Sequence, residues 1–120
     1  MISSINQIKF SPHKVFEGGI QAEIRMDGHW ISIISGGRSP GGFGGSYGRI
    51  VEDFTINGKD LSNSTFELAI IRGVDGNFVT HEFFQTECNG DQVAGFLSAD
   101  KVVEMLNELG HHHQLLFREE

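Results

Sequence analysis

The stretch Ile20-Gln-Ala-Glu-Ile-Arg-Met26, then Asp27-Gly28, then His29-Trp-Ile-Ser-Ile-Ile34 decides the fold. Ile20, Ala22, Ile24 and Met26 alternate with Gln21, Glu23 and Arg25, the period-two pattern of a half-buried strand. Asp-Gly is a strong two-residue hairpin signal, because a type I′ turn needs two positive φ angles. A two-residue loop then pairs Met26 with His29, Ile24 with Ile31 and Ala22 with Ile33. That register gathers the apolar side chains on one face, so turn chemistry and hydrophobic pattern agree.

The same grammar extends outward. Thr65–Ile71 and Asn77–Phe84 flank a second Asp-Gly, at 75 and 76, and read as another hairpin with Leu68 opposite Phe83 and Ile70 opposite His81. Arg49–Ile56 reads as a strand ended by Asn57-Gly58, and residues 4–10 and 13–17 as shorter strands split by Pro12. Near the C-terminus Ser98 is a good N-cap. Val102, Met105, Leu106 and Leu109 then form an apolar stripe at helical spacing, and Gly110 stands where a helix stop belongs. Residues 91–97 lead into this helix as a short packed segment. The tail 111–120, with Leu115-Leu-Phe117, reads as an edge strand, a docked tail or an oligomer contact. The expected fold is α+β: an antiparallel sheet of about five to seven strands with one helix, about 98–109, packed on it.

Composition bounds the function. At 120 residues the chain is one domain, and 38% hydrophobic with 21% charged residues is ordinary for a globular protein. Ten phenylalanines supply core anchors. The net charge of −7 disfavours sequence-independent binding to nucleic acid and suits a basic partner. A single cysteine, Cys88, excludes an intramolecular disulfide and a multi-cysteine zinc site. No signal-peptide pattern or long apolar run is expected, which points to a cytoplasmic protein without a membrane span.

The segment Ser35-Gly-Gly-Arg-Ser-Pro-Gly-Gly-Phe-Gly-Gly-Ser-Tyr-Gly-Arg49 holds seven of the sixteen glycines. Glycine loses the most conformational freedom on ordering, so the run reads as a flexible loop or one ordered by what it binds. Its backbone N–H groups, with Arg38 and Arg49 at its ends, fit a phosphate-bearing, nucleotide-like ligand. Ser39 and Ser46 add hydroxyls, Phe43 a ring, and Tyr47 both. These six residues are the candidate ligand site. The spacing matches neither G-x-G-x-x-G nor a Walker A loop. Two G-x-S-x-G matches, at Ser39 and Ser46, lack the strand–turn–helix context of a nucleophile elbow and read as chance. Glu87 beside Cys88 raises the thiol pKa, so that cysteine is a poor nucleophile. No catalytic residue, metal site or cofactor is assigned. His81 reads as a core histidine, and His111-His-His113 as native residues without an assigned role.

One resemblance adds to this. A strand Trp30-Ile-Ser-Ile-Ile-Ser-Gly-Gly37 enters a loop ending Gly44-Gly-Ser-Tyr-Gly48. Phe66-Glu-Leu-Ala-Ile-Ile71 and Gly76-Asn-Phe-Val-Thr80 follow, and then Asp91–Leu106 leads into the helix. This order, over residues 29 to 109, resembles small accessory proteins of tailed bacteriophages, while 49–63 departs from it. The resemblance carries no catalytic residues. It implies a counter-defence protein inside the bacterial cell, binding either a nucleotide signal or a host defence protein. The alternatives are an acidic protein–protein inhibitor such as a toxin-immunity protein, and a small enzyme acting on a nucleotide signal. A homo-oligomer is a further expectation, from the apolar strip in the tail.

Overall fold

The computed structural model describes residues 1–39, 41, 44–55 and 58–117, with the side chains of 53–55 and residue 58 left aside. Strands β1 (Ser11–Pro12), β2 (Ile20–Met26), β3 (His29–Ser35), β6 (Thr65–Arg72) and β7 (Ala94–Ser98) lie side by side in that order, all antiparallel. Strand β8 (Leu115–Phe117) joins the outer edge of β2. Strands β4 (Asp53–Thr55) and β5 (Gly58–Asp60) form a separate two-stranded ribbon. Helix α3 (Ala99–His112) packs across β6 and β7 and against a 3-10 helix at Ile5–Gln7. The class is the expected one: an α+β domain, with a mostly antiparallel sheet and a C-terminal helix on it. Among the described residues no helix is long and apolar enough to cross a membrane.

The first hairpin has the expected register, with Met26 opposite His29, Ile24 opposite Ile31 and Ala22 opposite Ile33. Its inward face meets the stripe of α3, and Ile24, Ile31, Ile33, Phe66, Leu68, Ile70, Val102 and Met105 are all buried. Ser98 caps α3 by accepting the Lys101 N–H at 3.1 Å.

Several elements differ from expectation. The partner of β6 leaves the sheet after Val79, and residues 80–83 and 85–88 form the short helices α1 (Thr80–Phe83) and α2 (Gln85–Cys88). Backbone pairing runs Ile71 opposite Phe78, not Ile70 opposite His81. The Thr80 hydroxyl then accepts the Ile70 N–H at 2.8 Å, filling the place where the ladder would continue. Val79 and Phe83 are four apart, as are Thr80 and Phe84, and this helical spacing points them all inward. His81 is consequently exposed rather than in the core. The edge of β6 from Thr65 to Leu68 goes instead to β7, which is the segment expected only to lead into α3.

Residues 4–10 are not a strand, because Ser4 and Gln7 form a reciprocal capping box around the 3-10 helix. Residues 13–17 form a turn around His13, whose Nδ1 accepts the N–H groups of Val15 and Phe16 at 3.0 and 2.9 Å. Pro12 pairs with Ile20 on the sheet edge, where its missing N–H costs nothing. Among the described residues 49–55, Asp53–Thr55 alone is strand; Ile56 and Asn57 lie outside the described residues. Helix α3 passes through Gly110, and the His113 N–H closes it on the Leu109 carbonyl at 2.9 Å. Gly110 is therefore not a C′ stop: the extra turn delivers Leu115 back over it and the tail onto β2.

Candidate functional site

The glycine-rich segment leaves β3 at Ser35, and its exit is laid along β6. Ser35 is fully buried, and its hydroxyl donates to the Thr65 carbonyl at 2.6 Å. The Gly36 N–H donates to Gly48 O at 3.0 Å, closing the neck of the loop. Arg38 and Glu17 exchange two backbone hydrogen bonds of 3.0 Å, tying the loop to the His13 turn. The N–H of Ser39 donates to Gly44 O at 2.9 Å, and that of Tyr47 to Glu67 Oε1 at 3.1 Å. On the exit side Arg49 N–H donates to Thr65 Oγ1 at 2.9 Å, and Thr65 N–H returns to Arg49 O at 2.9 Å. Ser64, buried, accepts from Val51 N–H at 2.7 Å and donates to Val51 O at 2.9 Å.

The glycines let backbone pass backbone. A Cβ on Gly45 would run into Gly37 O, and one on Gly48 would lie 2.7 Å from Thr65 O. Neither contact can relax by turning a side chain, because the opposing atoms are main chain.

The structure thus assigns the candidate residues different duties. The Ser46 hydroxyl donates to Gly36 O at 2.7 Å and holds the neck. Arg38 is exposed at a hollow also lined by Glu17 and Gly37, so a bound anion there would face a carboxylate as well as a guanidinium. Arg49 is exposed beside β6. Ser39 lies between them in the loop, with its N–H on Gly44 O. Phe43 lies outside the described residues. Tyr47 is 47% exposed, and its ring packs on Phe96 with centroids 5.9 Å apart.

Two features were not singled out from the sequence. The first is Arg25 on Trp30, with the guanidinium carbon 4.3 Å from the ring centroid. They are cross-strand partners in the first hairpin, so the register already implied the contact. They border an open hollow of about 700 Å³ that reaches His29, His112, His113 and Leu116. A smaller one of about 370 Å³ continues past Glu23 and Phe117. The second is Phe96, 68% exposed with φ +51°. Nothing in its sequence neighbourhood marks it except the preceding Gly95.

Cys88 is buried, and desolvation, with the charges of Glu87 and Asp91, pushes its thiol pKa up. Desolvation raises the Glu67 carboxyl, opposed by the Tyr47 N–H and aided by the charge of Asp91. Burial lowers His13. The rings of His29 and His113 both meet Phe83 edge-on, at 5.4 and 6.1 Å. Among the described residues no group of three or more His, Cys, Asp or Glu is placed to hold a metal. No protein-family model, curated protein or solved structure matches this chain.

Proposed function

We propose that this chain is a small non-enzymatic binding protein that acts by sequestration, with a protein as its target. The observation that supports this most is the use of the loop's donors. The N–H groups of Gly36, Arg38, Ser39, Tyr47 and Arg49 all end on acceptors within the protein. An anion cradle needs those groups turned outward. The net charge of −7 suits a basic partner, in the manner of an acidic inhibitor. The resemblance to phage accessory proteins supplies the setting, in which the target is a bacterial defence protein.

The test is native mass spectrometry of complexes formed in bacterial lysate. A 1:1 complex with one protein, associating more slowly as salt rises, is the expected result. Recovery of the chain with only a small molecule overturns it. A second reading, sequestration of a nucleotide-like ligand, is favoured by the Arg25–Trp30 cation–π contact at the larger hollow. A nucleotide that raises Tm in the parent chain and not in Trp30→Ala supports it, and no Tm shift with any nucleotide overturns it.

A further inference from the structure

We infer that Tyr47 and Phe96 form a docking platform for a basic segment of a protein partner, an arginine side chain lying on the two rings. This rests on the sequestration reading and names its surface and chemistry. Phe96 stands at a β-bulge, where Phe66 to Leu68 on β6 oppose Leu97 to Ala94 on β7. Its φ of +51° belongs to a region that bulky L-residues rarely adopt. A core residue in that state would recover the cost through burial, but this ring is 68% exposed. The fold therefore holds a largely exposed aromatic residue in a strained backbone state, with Tyr47 against one side of its ring.

The surroundings say what the ring meets. The Phe96 N–H donates to Tyr47 O at 2.7 Å, locking the two residues together. A Cβ on Gly95 would come 2.8 Å from Tyr47 Cβ, so glycine there lets Tyr47 settle beside the bulge. The rings touch at an interplanar angle of 47° and both remain accessible. Glu67 binds the Tyr47 N–H, and Asp91 is close enough to act on the Glu67 charge. Exposed aromatic faces beside the Glu67 carboxylate attract a guanidinium by cation–π contact and by charge. A second copy of this chain, also at −7, or a nucleic acid meets repulsion at the same place.

The probe is acetyl-tetra-arginine amide titrated into the full ¹⁵N-labelled chain, with tetraglutamate as control. Expected are saturable shifts centred on Tyr47, Gly95 and Phe96, no response to tetraglutamate, and a loss of affinity of about tenfold in Phe96→Gly. Glu67→Gln, which keeps an acceptor for the Tyr47 N–H, weakens binding by about threefold. Glycine accepts the backbone that phenylalanine strains, so the Tm of Phe96→Gly holds or rises, which separates lost binding from lost folding. Equal affinity in Phe96→Gly, shifts spread along Asp100, Glu104 and Glu108 of α3, or no saturable binding overturns the platform. Failure of the peptide while a protein partner still copurifies sinks this surface alone. Localised binding with no partner in lysate sinks the sequestration reading and keeps the platform.

Discussion

Two regions of the molecule use left-handed backbone in opposite ways. In the loop, Gly36 and Gly37 take φ of +68° and +87° where Ile50, Phe16 and Gly19 crowd against them. The unusual conformation there lets chain segments close on one another, and hydrogen bonds to β6 and to the His13 turn come with it. At the bulge, Phe96 takes φ +51° and its ring faces solvent. The first region uses glycine to build the fold, and the second holds a side chain that touches Tyr47 and is otherwise largely in solvent.

The largest effect expected from breaking this contrast is at Gly48. Alanine there sets a Cβ against the Thr65 carbonyl at 2.7 Å and Phe66 Cα at 3.0 Å, on a core strand. We expect a loss of about 3 kcal/mol and a Tm lower by about 10 °C, read by calorimetry. A change below about 0.5 kcal/mol would mean that the loop exit does not lie on β6. Next is Ser64→Ala, which leaves both Val51 backbone groups without their partner. A cost of about 2 kcal/mol is expected in urea unfolding, and a neutral result would show that water replaces the hydroxyl. Phe96→Gly goes the other way, with a gain of about 0.5–1 kcal/mol. A loss of that size would place Phe96 with the structural residues and erase the contrast.

The smallest effect is in the His13 turn that clamps the loop through Glu17 and Arg38. His13 is held neutral: Nδ1 accepts two N–H bonds, the ring stacks on Phe16 at 4.5 Å, and burial lowers its pKa. The unfolded chain takes up the proton first, so this contribution is complete above about pH 6.5 and is lost as pH falls through the folded value. In His13→Asn, Oδ1 takes the place of Nδ1 and does not titrate. Between pH 7.5 and 5.5 the parent should lose stability relative to that variant by under about 1 kcal/mol. Parallel curves would contradict the acceptor role.

The two Asp-Gly turns show what was legible in the sequence. Asp27-Gly28 sits between strands that alternate on both sides, so register, inward face and the Arg25–Trp30 contact all follow. Asp75-Gly76 has alternation before it only. After it Val79, Phe83 and Phe84 recur at helical spacing, and the dipeptide alone favoured a strand that does not form. The loop was hard to read for a different reason. Glycines that serve close approach and glycines that serve mobility look alike until their partners are known. Those partners, Glu17, Thr65 and Glu67, lie far along the chain. Phe96 carries no sequence signal, because its strain arises from a bulge set by how β7 meets β6.

Amide hydrogen exchange at Gly36, Arg38, Ser39, Tyr47 and Arg49 tests most directly whether the loop's donors belong to the fold. Protection well above that of an unstructured chain, unchanged by a panel of nucleotides, is the predicted result. Exchange at unstructured-chain rates, with protection gained only when a nucleotide is added, would contradict it and return these groups to an anion-binding role.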